Sequence, residues 1–285
     1  MRIIRMVWLA WIPGCWISHS ESDARSSWWY DIAAGYDSTC GLRASGAVEC
    51  WGKVDEVALD AGKYAQMDVG KESLCALDTD GAIHCWGTTT ADAELLDPPS
   101  GRFLQVSVGA FDACAVDANH DLQCWGPTDL FLDGVPEPTE GPFESVTVGE
   151  NYACAVTYLG AVDCWGANDY GEADDEEGPF VKVDDWHDNT CAIGARGEVE
   201  CWGNTAQIEV PESASTAVAV GWDFACFLSQ ANTLACSGTN EFGESAAPSG
   251  EYRVVTAGAG YACAIDLVGQ ARCWGLDDNG QSSVP

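Results

Sequence analysis

The sequence predicts an all-β chain that folds as a seven-bladed β-propeller with one hairpin disulfide per blade, and three observations lead to this. Seven cysteine pairs recur along the 285 residues, each with the same spacing of ten, and successive pairs begin 35–40 residues apart. One pattern surrounds each pair. In six of the seven repeats a Gly and four further residues come before the first Cys, and in six of the seven Trp-Gly follows the second Cys. Self-similarity at this period is typical of solenoids and propellers.

Each repeat contains a predicted β-hairpin. Cys40 and Leu42 share one face of a strand, and Val48 and Cys50 share one face of the next, because side chains alternate along a strand. A turn centred near Ser45 places Cys40 opposite Cys50, within disulfide reach. The turn residue is Gly46, Gly81, Gly160, Gly197 or Gly269, and His120 or Asn232 in the remaining two repeats.

The shared register predicts that every disulfide forms within its own blade. The predicted pairs are Cys40–Cys50, Cys75–Cys85, Cys114–Cys124, Cys154–Cys164, Cys191–Cys201, Cys226–Cys236 and Cys263–Cys273. Structural zinc is the alternative, but it needs four ligands and usually a Cys-x2-Cys approach, which two cysteines per repeat do not provide.

The second face of the hairpin is also predicted to be buried. The residue after the first Cys is Gly or Ala in six repeats, and we expect the Trp after the second Cys to lie opposite it. A sheet that is apolar on both faces needs cover on both sides, which radially packed blades supply. Repeat six differs, with Phe227 for the small residue and Ser237 for Trp, so we expect the Phe227 ring to fill the space of the missing Trp.

The N-terminus predicts an extracytoplasmic protein. Arg2 and Arg5 precede a short apolar run, so residues 1–15 are interpreted as a signal peptide or a lipoprotein signal. In the second case Cys15 is the lipidation site and the chain's one link to a membrane. Residues 16–27 form a flexible polar tether, and 28–285 the propeller. The fifteen cysteines favour an oxidising compartment, and we expect a secreted protein or an outer-surface lipoprotein of a bacterium.

The charge limits the classes of partner. Lys and Arg number 12 against 45 Asp and Glu, a formal net charge of −33. Such a surface repels nucleic acid, because phosphate contacts need cations, and it suits a protein partner with a basic surface.

The whole pattern resembles the repeat of the regulator of chromosome condensation family. A Gly, a short loop, an apolar strand, a turn, a strand ending in Trp-Gly and then Asn-x-x-Gly-Gln make up that repeat. The last element stands at 168–172, 240–244 and 277–281. The repeat length is similar to that of the family's secreted bacterial branch, which includes an enzyme-inhibitory propeller. The resemblance implies a seven-bladed ring, closed when the strand due after Val284-Pro285 is supplied by 29–34.

We predict a binding protein that acts through the short loops before the first cysteines. Aromatic rings beside charges are typical of protein-binding hot spots. The candidate residues are Tyr36, Asp37, Glu72, Phe111, Asp112, Tyr152, His187, Asp188, Trp222, Asp223, Phe224 and Tyr261. In the inhibitory propeller the matching loops face the target enzyme. The competing interpretation is that these rings plug the central channel.

Three function classes follow: a protein-binding scaffold, a secreted inhibitor of an enzyme and, least favoured, an enzyme. The four His have no sequence partner that suggests a catalytic set, so no catalytic residue, metal or cofactor is predicted. The acidic run 174–177 lacks the ligand spacing of a calcium loop and is interpreted as solvated. We expect a monomer.

Overall fold

The computed structural model describes residues 28–53, 62–87, 94–127 and 141–285, in which the strands form seven separate three-stranded antiparallel sheets. The first strands are β1 (Trp29–Ala34), β4 (Tyr64–Val69), β7 (Phe103–Val108), β10 (Phe143–Val148), β13 (Phe180–Trp186), β16 (Ser215–Gly221) and β19 (Tyr252–Ala257). The middle strands are β2 (Ser38–Arg43), β5 (Ser73–Asp78), β8 (Ala113–Asp117), β11 (Tyr152–Thr157), β14 (Asn189–Gly194), β17 (Phe224–Ser229) and β20 (Tyr261–Asp266). The last strands are β3 (Val48–Gly52), β6 (Ile83–Gly87), β9 (Leu122–Trp125), β12 (Val162–Gly166), β15 (Val199–Gly203), β18 (Leu234–Gly238) and β21 (Ala271–Gly275). The predicted seven-bladed all-β fold is confirmed, and the signal and tether lie outside the described residues.

All seven predicted disulfides are present. Each pair is directly opposed in the register of its hairpin, with Cα atoms 4.0–4.1 Å apart. The positions of Gly in the hairpin turns are also explained, since His120 and Asn232, which replace it twice, have φ of 68° and 62°. Seven disulfides are characteristic of a protein folded in an oxidising, extracytoplasmic environment.

One detail of the predicted pairing is wrong. Gly41 lies opposite Glu49, while Trp51 lies opposite Thr39, so the Trp and the small residue are diagonal neighbours on the same face. The prediction missed this because the disulfide pair occupies the directly opposed position between them. Both faces are nevertheless covered, since a cluster of buried apolar side chains fills each of the seven gaps between blades.

The ring closes in the predicted way, with β1 next to the last blade. The Trp29 N–H donates to the Gly269 carbonyl at 3.0 Å. From the other terminus, the Gln281 carbonyl accepts hydrogen bonds from Thr39 Oγ1 (2.8 Å) and Trp51 Nε1 (2.9 Å). The Asn-x-x-Gly-Gln element thus connects one blade to the next, because its last residue offers a carbonyl to the following blade.

The first strands surround the central channel and are linked side by side. A polar side chain on one first strand often bonds to the backbone of the next, as Asp68 Oδ2 does with the Val108 N–H (2.8 Å) and Asp184 Oδ2 with the Val220 N–H (2.7 Å). Such links hold neighbouring blades together without a shared sheet. Among the described residues, no helix is long and apolar enough to cross a membrane.

Candidate functional site

The predicted binding loops lie at one end of the ring. Every blade has the same antiparallel strand order, so the loops between first and middle strands share one end and the hairpin turns share the other. We call the first end the mouth: the first two loop residues of each blade, together with Trp186. Its residues are Tyr36, Asp37, Lys71, Glu72, Ala110, Phe111, Glu150, Asn151, Trp186, His187, Asp188, Trp222, Asp223, Ala259 and Gly260.

The third loop residue does not belong to the mouth, because the middle strand already begins there. Tyr152, Phe224 and Tyr261 occupy this position, and at most 1% of each is exposed. Tyr152 donates a 2.6 Å hydrogen bond to the Asn189 carbonyl, and Tyr261 donates a 2.7 Å bond to Ser38. The prediction that these three rings are surface contact residues is therefore wrong, since they join neighbouring blades.

Asp112 stands at the same third position in blade three and is also buried, at 8% exposure. Burial raises the pKa of its carboxyl to about 6. A carboxyl in this place cannot serve as an exposed contact, so Asp112 is a second correction to the predicted site.

In blades one, two, three and seven, the glycine before the loop is required by the close approach of the neighbouring blade. A Cβ added at Gly70 would overlap the Gly109 carbonyl oxygen, and one at Gly258 would overlap that of Gly35. Blade five has Trp186 in this place, and its ring lines the channel. Sequence reasoning missed Trp186, although the one departure from Gly among seven repeats was the available signal.

Tyr36 extends across the mouth and contacts several other blades. Its ring centroid lies 5.4 Å from that of Trp186 and 6.4 Å from that of Trp222, and Lys71 Nζ stands 5.2 Å from it. Burial, followed by a hydrogen bond to the Glu150 carboxylate, raises the pKa of the Tyr36 hydroxyl. Tyr36 and Trp186 therefore lie together at the mouth end of the channel, and Trp186 lines the channel's cavity.

Trp222 and His187 form a second, more accessible aromatic pair. Their rings stack at 4.9 Å with an interplanar angle of 22°, and 43% of Trp222 is exposed. The His187 imidazole lies between two carboxylates, 3.5 Å from Glu150 and 3.0 Å from Asp188. This arrangement holds the Trp222 ring in place while leaving part of it open to solvent.

Carboxylates outnumber cations around these rings. Asp37, Glu72, Glu150, Asp188 and Asp223 all lie in the mouth, whereas its cation is Lys71, which lies between the rings of Tyr36 and Phe111. Desolvation raises the pKa of Asp188, and the carboxylates of neighbouring loops add to the effect. The mouth is thus an aromatic surface with an acidic field.

Below the mouth, the channel contains a cavity of about 100 Å³ lined by Asp68, Asp184 and Asp185. Burial raises the pKa of Asp68 to about 6 and that of Asp184 to about 7, and it also raises the pKa of Asp185. Throughout the described ranges, no group of three or more His, Cys, Asp or Glu side chains is arranged to hold a metal.

A larger groove of about 490 Å³ opens at the mouth beside blade seven. Its floor is Ala259 and Gly260, the smallest pair at these loop positions. The walls come from the flanking blades and from the connectors that follow blades six and seven. They are formed by Tyr36, Asp37, Trp222, Asp223, Thr239, Glu241, Phe242, Glu244 and Leu276.

Comparison with known proteins agrees with this architecture. The family described as the regulator of chromosome condensation (RCC1) repeat matches residues 143–172, which run from β10 to the connector after blade four. None of the curated proteins matches the chain in sequence.

Three solved structures illustrate the fold. The CRINKLY WD40 ectodomain of the Arabidopsis thaliana receptor kinase ACR4 is 22% identical with a TM-score of 0.74, over 89% of this chain and 97% of that one. The ectodomain of the Physcomitrella patens receptor kinase CR4 is 21% identical, with a TM-score of 0.72 over 87% and 73%. Prp20p from Saccharomyces cerevisiae, described with its binding to Gsp1p and histones, is 16% identical, with a TM-score of 0.52 over 87% and 72%.

Proposed function

Because the chain is a seven-bladed propeller of the regulator of chromosome condensation (RCC1) repeat type, we propose that it is a protein-binding scaffold whose contact surface is the mouth. The similar fold of Prp20p, described with protein partners, supports a protein as the ligand. We also propose that the protein is secreted by a bacterium and that its partner has a basic surface. We propose no catalytic role.

The observation that carries the proposal is the partly exposed Trp222 ring, stacked on His187 and surrounded by carboxylates. A rigid aromatic side chain loses little conformational entropy on binding and buries a large apolar area, which is why Trp is enriched in hot spots. Since the carboxylates of Asp188 and Asp223 flank the pair, a partner with cations near an apolar centre matches it.

The test compares two ends of the same ring. Partners captured by the wild-type protein are identified, purified and titrated against a Trp222→Ala, Asp223→Ala double variant. The control is Leu159→Ala, which removes a 93% exposed apolar side chain from a hairpin turn at the opposite end. We expect the double variant to weaken binding at least tenfold, with no change in the control. Equal affinities for wild type and double variant, or a loss in the control alone, would reject the mouth as the surface.

Attachment to a membrane through Cys15 is a separate part of the proposal and lies outside the described residues. Expression in bacteria with a labelled fatty acid should label the wild-type chain and not a Cys15→Ala variant. Equal labelling of both, or labelling of neither, leaves a plain secretory signal.

A further inference from the structure

The groove beside blade seven exists because the loop residues of that blade have small side chains, whereas those of the two neighbouring blades have large ones. Blade seven contributes Ala259 and Gly260 to the mouth, whereas blades one and six contribute Tyr36-Asp37 and Trp222-Asp223 at the same loop positions. The gap is therefore flanked by two equivalent aromatic–acidic pairs. Phe242 and Leu276 form its outer wall, and both approach the position of a Cβ added at Gly260, at 3.3 and 3.7 Å.

The floor of the groove is held by backbone hydrogen bonds. The Ala259 N–H donates to the Gly35 carbonyl (3.3 Å), and the Leu276 N–H donates to the Gly260 carbonyl (2.9 Å). On the outer wall, the Phe242 N–H donates to Glu244 Oε2 (2.8 Å), and that Glu is buried. A groove fixed in this way needs little reordering when it binds a ligand.

The charges in the groove favour a cationic occupant. Asp37 interacts with Asn279 at 3.2 Å and with the exposed Lys53 at 3.5 Å. In the described part of the chain, no hydrogen bond or ion pair engages the Asp223 carboxylate. A site with apolar aromatic walls and a carboxylate without a partner suits a group that is flat, apolar along its stem and positively charged at its end.

We propose that this groove binds an arginine side chain in a short basic segment of the partner protein. Guanidinium is planar, stacks on aromatic rings and forms two parallel hydrogen bonds to one carboxylate, which an ammonium group cannot do. Trp222 and Phe242 supply the rings and Asp223 the carboxylate. A groove of about 490 Å³ has room for the residues on either side of the arginine. This inference rests on the proposed function and adds the chemistry of the contact.

The experiment titrates the full chain with acetyl-Gly-Gly-Arg-Gly-Gly-amide and with two matched peptides, containing citrulline or lysine. Citrulline keeps the shape without the charge, and lysine keeps the charge without the planar group. Binding is followed through the indole N–H signal of Trp222 in NMR spectra, assigned with a Trp222→Phe variant. We expect saturable binding of the arginine peptide, with the citrulline and lysine peptides weaker by at least tenfold and about threefold.

Two variants locate the site. Asp223→Asn preserves shape and should weaken the arginine peptide about tenfold, equivalent to about 1.4 kcal/mol. Glu72→Gln is the matched control, because Glu72 is an exposed carboxylate at the same loop position and does not line the groove. Absence of binding, equal binding of arginine and citrulline peptides, or equal effects of the two variants would overturn the proposal.

The outcome is separable from that of the proposed function. If the Trp222→Ala, Asp223→Ala variant loses an identified partner while no arginine peptide binds, the mouth is the contact surface and the groove does not take arginine. If that variant binds the partner as tightly as the wild type does, the mouth is not the partner's contact surface, whatever the peptides do.

Discussion

Blade one (β1–β3) and blade six (β16–β18) have the same strand register but place their aromatic rings on different strands. In blade one, Trp29 on the first strand and Trp51 on the last pack together at 5.5 Å, and the Trp29 ring lies directly over Gly41 on the middle strand. In blade six the equivalent residues of the first and last strands are Ser215 and Ser237, and the middle strand has Phe227 instead, 2% exposed.

The difference shows that the equivalent positions on the first, middle and last strands conserve their summed side-chain volume, and not the volume at each position. Other blades have an intermediate arrangement, with an aromatic ring on the first strand, Ala on the middle strand and Trp on the last, as for Tyr64, Ala76 and Trp86. Blade one enlarges the first ring and reduces the middle residue to Gly, whereas blade six moves the ring to the middle. Close-packed interiors tolerate such exchanges better than a void.

The hydrogen bond from the last strand to the connector before the blade is also kept, although a different side chain donates it in blade six. The Trp51 indole N–H donates to the connector carbonyl of Gln281, and Trp274 donates to that of Glu244 (2.7 Å). Blade six has no indole, but the Ser237 hydroxyl donates to the connector carbonyl of Glu209 at 2.9 Å. Ser237 thus replaces the polar role of Trp while Phe227 replaces its bulk.

The largest expected effect comes from emptying the centre of blade six. Phe227→Ala should lower the free energy of unfolding by about 3–5 kcal/mol, because the flanking serines cannot fill the cavity. Denaturant unfolding with the disulfides intact measures the loss. Trp222→Ala in the same blade is the control, since that ring is partly exposed, and it should cost much less. If Phe227→Ala lowers the free energy of unfolding by less than about 1 kcal/mol, the Phe227 ring does not fill the centre of blade six.

Restoring the common arrangement should rescue that variant. In the Phe227→Ala background, Ser215→Phe and Ser237→Trp together rebuild the pattern of the other blades, and each alone should recover part of the lost stability. If the triple variant is no more stable than Phe227→Ala, the volumes of the three positions are not coupled.

Blade one should respond to the opposite change. Gly41→Ala adds a Cβ that clashes with the Trp29 ring, and we expect a loss of about 1–3 kcal/mol from overpacking. Combining it with Trp29→Phe gives a Phe–Ala pair, as in blades three and four, and should recover part of the loss. Thermal unfolding of the single and double variants measures both, and a neutral Gly41→Ala would show that this face is loosely packed.

The two blades also differ in the links that join their first strands to the preceding blade. Asp184 accepts from Val220 in blade six, whereas the neutral Thr256 accepts from Ala34 in blade one (3.2 Å). The pKa of Asp184 is raised to about 7, so the folded state keeps a proton that the unfolded chain releases near pH 4. Its contribution to stability is full below pH 4 and is lost as the pH rises through 7.

Asp184→Asn should therefore flatten the decline in stability between pH 4 and 7 and raise the free energy of unfolding at pH 8 by about 1–2 kcal/mol. Asp68 and Asp185 have raised pKa values as well, so part of the decline remains. Unfolding curves across this range provide the measurement. Thr256→Val is the control and should leave the pH dependence unchanged. If the stability of the Asp184→Asn variant depends on pH as strongly as that of the wild type, protonation of Asp184 does not cause the decline.

The smallest expected effect is that of the substituted hydrogen bond. Ser237→Ala should cost about 1 kcal/mol, because the Glu209 carbonyl loses its donor. Ser213→Ala, at an exposed position in the same connector, should be neutral. If the two variants unfold at the same urea concentration, the Ser237 hydroxyl does not replace the hydrogen bond that the Trp indole N–H makes in other blades.

The fold could be predicted from the sequence because repetition fixes register. Seven cysteine pairs at one spacing predict the hairpins and the disulfides, and the strand due after Val284-Pro285 predicts the closure by residues 29–34. The candidate site was predicted less well, because Tyr152, Phe224 and Tyr261 share loops with exposed residues, and only the point where the middle strand begins separates them. The contribution of Ser215 was missed because it acts through diagonal contacts across strands, which no spacing along the chain reveals.

The entry point of the chain has a consequence for how the molecule is displayed. Trp28 packs against Gly269 in a hairpin turn, and the Trp29 N–H bonds to the same residue, so the N-terminal side of the chain arrives at the end of the ring opposite the loops. Residue 28 therefore lies on the side of the ring that faces away from the mouth. An attachment on that side of the ring, as proposed for Cys15, leaves Trp222 and its neighbours facing away from the support.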